Sequence, residues 1–166
     1  MSISFIADAM LGTLAKWLRI LGFDTLYDPA LDDNQIARLA RADGRMLLTR
    51  DRELARRRGL CSLLIAGQDL GSQLDQVLSD LDLTPDCTFS RCPVCNELLA
   101  PLSPEAAGQR VPAYVARSHR TFKLCPACQR IYWRGTHWQR MEKQMAELGT
   151  CSGLLGSSPA PDEIMI

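Results

Sequence analysis

Short apolar runs alternate with segments whose apolar residues recur every three or four positions. Ser2-Ile3-Ser4-Phe5-Ile6-Ala7 is an apolar run halted by Asp8, the pattern of a buried strand. Leu11, Leu14, Ala15, Leu18 and Leu21 then share one helical face, Lys16 and Arg19 stand off it, and Gly22 is placed to end the helix. Residues 23–27 form a second strand candidate, and Pro29 opens a loop. Either Asp32 or Asp33 caps a helix whose apolar face is Ile36, Leu39 and Ala40, closing at Gly44. Met46-Leu47-Leu48-Thr49 reads as a third strand, followed at once by Arg50-Asp51 and a short basic helix over 51–58. Residues 62–66 make a fourth strand, and Leu70, Leu74, Val77, Leu78 and Leu81 a further helix. Four strand–helix alternations predict an α/β fold: a parallel sheet flanked by helices, with right-handed crossovers.

The pattern changes past residue 82. Residues 82–90, with Pro85, read as a linker. Beyond them Pro101, Pro104, Gly108 and Pro112 mark turns, and Ala113-Tyr114-Val115-Ala116 is one modest strand, which predicts a small β-rich module rather than helix. Thr136 caps a predicted C-terminal helix running to Glu147. From Thr150 on, Gly, Ser and Pro dominate, as in a disordered tail. The expected organisation is therefore an α/β domain over 1–85, a small module with its C-terminal helix over 90–146, and a tail over 150–166.

The module carries the most specific signal in the chain. Cys92-Pro93-Val94-Cys95 is answered by Cys125-Pro126-Ala127-Cys128, 30 positions on. Each Cys-x-x-Cys pair can reach one metal from a tight turn, and two such turns complete a tetrahedron, so Cys92, Cys95, Cys125 and Cys128 are the expected ligands of one structural zinc. Cys61, Cys87 and Cys151 lie outside the knuckles and read as ordinary thiols, Cys61 as a buried one. His119 and His137 are not needed as ligands once four thiolates are in place.

Composition adds a bound and an asymmetry. No run approaches the ~18 apolar residues of a membrane span, and Met1 to Asp8 lacks the basic start of a signal peptide. Seven cysteines without an export signal point to metal rather than disulfides, and to a reducing, cytoplasmic setting. Net charge is zero, yet residues 1–89 hold 10 basic and 13 acidic residues while residues 90–145 hold 9 basic and 3 acidic. An acidic front half joined to a basic module suggests a cation site beside a surface that grips a polyanion.

In a parallel sheet, residues just past the carboxyl ends of the strands converge on one crevice. Asp8 ends the first strand and Asp51 follows the third. Asp33 opens the second helix, and Asp69 follows the fourth strand in an uncertain register. Asp33 and Asp51 read equally as helix caps. Carboxylates gathered this way repel unless a cation joins them, and oxygen-only ligands favour magnesium or manganese. Arg50 and Arg52 stand next to such a site and suit phosphate; Lys16 and Arg19 face the same edge if Asp8 does. The segment Arg130-Ile131-Tyr132-Trp133-Arg134-Gly135-Thr136-His137-Trp138 interleaves arginines and aromatics, which suits RNA, with Arg134 and His137 as candidate contacts. The same aromatics read equally as packing for a module with little other core.

Residues 8–22, from Asp8-Ala9-Met10-Leu11-Gly12 to Arg19-Ile20-Leu21-Gly22, together with Leu47-Leu48-Thr49-Arg50-Asp51-Arg52, resemble the Mut-seven C-terminal RNase family. The two knuckles and Tyr132-Trp133-Arg134-Gly135-Thr136-His137-Trp138 resemble that family's zinc ribbon, and the likeness covers roughly residues 3–145. It implies a PIN-like nuclease domain fused to a zinc ribbon. It also implies ribonuclease activity with magnesium or manganese held by acidic residues: Asp8 as the first-strand carboxylate, Asp33 at the helix start, and Asp51 in a Thr-x-Asp element. The expected function is metal-dependent hydrolysis of RNA phosphodiester bonds, with RNA as partner. The alternative is an RNA-binding or protein-docking adaptor without catalysis, built on the same two parts.

Overall fold

A computed structural model of the chain describes residues 3–85, 89–135 and 143. The chain forms two compact units, residues 1–96 and 97–166. The expected helix from Thr136, His137, Cys87, Cys151 and the tail lie outside the described residues.

In the first unit, β1 (Ser4–Ala7), β2 (Asp24–Leu26), β3 (Met46–Thr49) and β4 (Ser62–Leu64) form one parallel sheet in the order β2-β1-β3-β4. Helices α1 (Gly12–Ile20), α2 (Asp33–Asp43), α3 (Arg52–Ala55) and α4 (Leu70–Asp80) connect and follow the strands. Side chains alternate across a strand, and this sorts the two faces. Ile6 and Leu47, register partners on β1 and β3, pack with Ile36 and Ala40 of α2 and Leu54 of α3. Phe5, Ala7 and Leu48, of the opposite parity, are buried on the other face, where Phe5 meets Phe23 edge-on at 6.0 Å and α1 lies against α4.

Local chemistry sets the element ends. Asp32, not Asp33, caps α2: its Oδ1 accepts from the amides of Asn34 and Gln35, and the Gln35 side chain returns a bond to the Asp32 amide, a reciprocal capping box. Gly12 at the start of α1 leaves room for the outer end of the Tyr27 side chain. A Cβ there would lie 2.6 Å from the Tyr27 hydroxyl, which donates to the Ala9 carbonyl.

The first knuckle belongs to this unit. Arg19 is 4% exposed. Its Nε donates to the Thr25 carbonyl at 2.8 Å, and its Nη1 donates to the carbonyls of Pro93 and Val94 at 3.0 and 2.8 Å. Asn96 accepts from the Thr25 amide through Oδ1 and donates to Asp24 through Nδ2. Burial would raise the Asp24 carboxyl, but hydrogen bonds from Arg45 and Asn96, with the charges of Arg45 and Arg91, outweigh it and hold the group below its usual range. The expectation that Arg19 contacts substrate is therefore corrected: its guanidinium is turned inward, onto carbonyls of β2 and of the knuckle.

The second unit holds an antiparallel sheet in the order β5-β6-β7, formed by Ala100–Leu102, Phe122–Leu124 and Ile131–Trp133. It also contains helices α5 (Pro104–Gly108) and α6 (Ala113–Ser118). The predicted strand over 113–116 is thus a helix. Pro112 stands at its N-cap, two alanines favour helix, and Val115 is buried with Ala107, Phe122, Ile131 and Trp133. Tyr132 and Trp133 are both buried, and Trp133 packs in the module's core with Phe122 and Ile131. Cys61, expected inside, is exposed just before the edge strand β4.

Replacing Arg19 by Met leaves three carbonyls without their charged donor. Stability in urea unfolding is expected to fall by about 3 kcal/mol. A loss below about 1 kcal/mol would show that the knuckle is held by other contacts.

Candidate active site and metal centre

The strand order places β1 and β3 side by side with their carboxyl ends together. The Asp8 amide extends the ladder by donating to the Leu48 carbonyl at 3.0 Å. Two positions beyond the Ile6–Leu47 pair, Asp8 and Thr49 emerge on the same face, the one covered by α2 and α3. The Thr49 hydroxyl, fully buried, donates to Asp8 Oδ2 at 2.8 Å and accepts from the Asp51 amide at 3.0 Å. One hydroxyl thus ties together the two segments that bring Asp8 and Asp51 to a common rim.

The two carboxylates differ in their surroundings. Asp8 is 8% exposed and its side chain caps nothing, although its backbone opens a single 3-10 turn over Ala9–Leu11. Asp51 is exposed and caps α3, its Oδ1 accepting from the amides of Glu53 and Leu54 at 2.7 and 3.0 Å. The amides of Leu54 and Glu53, with the Arg57 charge, hold the Asp51 carboxyl below its ordinary value against a smaller opposing effect of burial. Among the described residues, neither Asp8 nor Asp51 forms an ion pair, and the second oxygen of each has no protein donor.

The other acidic candidates are engaged elsewhere. Asp33, freed from capping by Asp32, faces Arg57, whose Nη2 lies 3.6 Å from its Oδ2 and whose Nη1 donates to the Asp33 carbonyl. Asp69 caps α4, taking the Ser72 amide and hydroxyl, and these bonds lower its carboxyl pKa. Among the described residues, the four cysteines are the one group of three or more His, Cys, Asp or Glu side chains whose ligand atoms converge closely enough to hold a metal. The basic candidates also divide. Arg50 donates to Gln68 at 2.9 Å, Arg52 is exposed at the start of α3, Lys16 is half-buried on α1, and Arg134 is exposed after β7.

The metal centre is built from two similar turns. In each, the residue four past the first cysteine returns its amide to that cysteine's carbonyl: Asn96 to Cys92 and Gln129 to Cys125, both at 2.9 Å. Both residues adopt left-handed backbone, with φ of 69° and 61°. The Sγ atoms of Cys92, Cys95, Cys125 and Cys128 lie within 4.8 Å of one another. Thiolates about 2.3 Å from a tetrahedral zinc stand about 3.8 Å apart, so the spacing and the all-sulfur donor set fit that ion.

Sequence reading reached Asp8 and Asp51 but missed Thr49, whose role was hidden because a strand-ending threonine is common. The available signal was its parity: Thr49 shares a face with Leu47 and follows the register that carries Asp8.

Against known proteins, the family model described as Mut7-C RNAse domain matches residues 3–145. Neither a curated protein nor a solved structure matches the chain. Among the described residues, no helix is long and apolar enough to cross a membrane.

The cap at Asp51 makes a pH prediction. A carboxyl held below its unfolded value stabilises the fold above that value and loses the contribution as pH falls through the folded one. The stability gap between wild type and Asp51→Ala should therefore be constant near neutrality and narrow once pH drops below about 4, the ordinary aspartate range. Urea unfolding at several pH values measures it, and a gap that widens toward acid contradicts the cap.

Proposed function

The chain belongs to the Mut7-C RNAse domain family, and on that footing we propose that it is a PIN-like ribonuclease that hydrolyses RNA phosphodiester bonds with magnesium or manganese. The observation that carries the reading is the Thr49 bridge, which holds Asp8 and Asp51 at one rim with an oxygen of each available. Asp8 and Asp51 hold the cation, an oxygen donor set suited to a hard ion. Asp33 joins them when its ion pair with Arg57 opens. An ion held there would supply charge stabilisation at the phosphoryl oxygens and lower the pKa of a water. Thr49 is a positioning residue: its hydroxyl fixes the orientation of the Asp8 carboxylate. Arg50 and Arg52, flanking Asp51 in sequence, orient the scissile phosphate with guanidinium donors.

Cys92, Cys95, Cys125 and Cys128 hold one structural zinc. Four thiolates leave no open position for water, so this ion has no part in hydrolysis.

One observation favours a second reading, RNA binding without cleavage. Asp33 is paired to Arg57, which leaves two carboxylates rather than three at the rim. Cleavage of a labelled RNA with added magnesium or manganese separates the readings. Asp8→Asn is expected to reduce cleavage by about a hundredfold or more, the loss of several kcal/mol of charge stabilisation. Thr49→Val, which touches the ion only through Asp8, should cost about ten- to a hundredfold. Both variants should retain RNA binding. Metal-independent cleavage, or cleavage unchanged in Asp8→Asn, overturns the active-site assignment; no cleavage with either ion favours the binding reading.

Elemental analysis should find one zinc per chain, and the double variant Cys92→Ser/Cys125→Ser should lose it and melt at lower temperature. A disulfide between Cys92 and Cys95 in the native protein would contradict the zinc site.

A further inference from the structure

We propose that the exposed arginines of α2, of α3 and of the turn that follows α3 form a track for the RNA phosphate backbone, leading away from the Asp8–Asp51 rim. The proposal deepens the ribonuclease reading, on which it rests for its ligand. Arg38, Arg41, Arg52, Arg56 and Arg58 are all exposed, and among the described residues none of the five forms an ion pair. They cluster within residues 33–58, although residues 1–89 as a whole hold 13 acidic and 10 basic residues. The carboxylates nearby do not relieve them: Asp33 pairs with Arg57, Asp43 pairs with Arg45, and Glu53 pairs with none of the five. Like charges gathered without acidic partners repel, and a bound polyanion removes that cost.

These positions share one surface because the turn after α3 is bonded to both the first and the last turn of α2. Arg41 Nη2 donates to the Arg58 carbonyl at 2.8 Å, and Arg57 Nη1 donates to Asn34 Oδ1 at 2.8 Å. Arg38 and Arg41 stand three residues apart on α2, about one turn, and both are exposed. The surface also begins at the site. Asp51 caps α3, Arg52 is its first residue, and Asp8 and Thr49 emerge on the sheet face that α2 and α3 cover.

A protein partner fits this surface poorly. Protein interfaces depend on apolar or aromatic anchors at their centre, and the exposed large hydrophobic residues, Met10, Leu64, Val94, Leu98 and Tyr114, all lie off α2 and α3. Guanidinium groups without apolar company match a phosphate backbone, which is read by charge and paired donors.

The test is binding of a fluorescent single-stranded RNA oligonucleotide by the full chain in the Asp8→Asn background, without added divalent ion, across a salt series. The variant Arg38→Gln/Arg56→Gln/Arg58→Gln removes three charges whose side chains make no hydrogen bond or ion pair within the described residues. The salt-dependence slope should fall by about 2, roughly 0.7 for each phosphate no longer neutralised, with affinity at least about tenfold weaker at low salt. Arg117→Gln/Arg120→Gln, exposed positions of the second unit, should leave both unchanged. The track is overturned if the triple variant binds like its parent, if only the second pair weakens binding, or if the chain binds no RNA. Cleavage is not read in this assay. A chain that binds through α2 and α3 yet never cleaves RNA overturns the ribonuclease reading and leaves the track standing.

Discussion

The pairing of β1 with β3 is the constraint from which the site follows. With Ile6 opposite Leu47 and Ala7 opposite Leu48, the next positions on the α2–α3 face are Asp8 and Thr49. A slip of one residue would turn Ile6 and Leu47 away from Ile36, Ala40 and Leu54 and turn Asp8 away from the Thr49 hydroxyl. The register that buries the core therefore also aligns the polar pair at its end. A carboxylate as buried as Asp8 needs a donor, and β3 supplies one whose oxygen in turn receives the Asp51 amide. Core and site are set by one ladder, which is why a residue as plain as Thr49 holds the rim together.

The edges of that ladder are closed by side-chain amides rather than by more strands. At β4, Gln76 of α4 donates to the Leu64 carbonyl and accepts from the Ala66 amide, both at 2.9 Å, as a neighbouring strand's peptide would. At β2, Asn96 accepts from the Thr25 amide. An open edge invites pairing with another chain, and each edge here is occupied by a group anchored elsewhere. The β2 closure has a second consequence. Arg19 of α1 and Asn96 of the knuckle both bond to Thr25 of β2, and Arg19 also bonds to the Cys92–Cys95 turn, so the ligand turn is part of the α/β unit's own hydrogen bonding. Burial lowers the pKa of the Arg19 guanidinium, and negative charge on the Cys92 and Cys95 sulfurs and the Asp24 carboxylate opposes that shift.

The sequence made the α/β architecture and the cysteine ligands legible because both are written as local periods: apolar runs, three-and-four spacings and Cys-x-x-Cys. Asp8 and Asp51 were readable for the same reason, each being the polar residue that ends or follows an apolar strand. What failed was decided by particular contacts, near or far in sequence, that periodicity does not show. Arg19 lies off the apolar stripe of α1 and so reads as solvated, yet it is buried by residues 93 and 94, more than 70 positions away. Asp33 and Asp32 are equivalent by local rule, and only the reciprocal bond from Gln35 decides between them. Val115 is a strand former by type, but Pro112 and the pocket formed with Ala107 and Phe122 fix its segment as helix.

The division of arginines follows the same logic and bears on function. Arg19, Arg45 and Arg91 are tied to carbonyls or to Asp24, and Arg57 is tied to Asp33 and Asn34. Each is held by a partner that the fold brings to it, and each is at least half-buried. Arg38, Arg52, Arg56 and Arg58 are exposed and have no such partner among the described residues, while Arg41 spends one donor on a backbone carbonyl and keeps its charge unpaired. A chain that pairs its buried cations and leaves these five exposed ones without an ion pair among the described residues, on α2, α3 and the turn after α3, has separated structural charge from unpaired surface charge. Arg38, Arg41 and Arg52 belong to the helices that cover the sheet face on which Asp8 and Thr49 emerge, so on the proposed reading an anionic ligand and the carboxylates would share one side of the sheet.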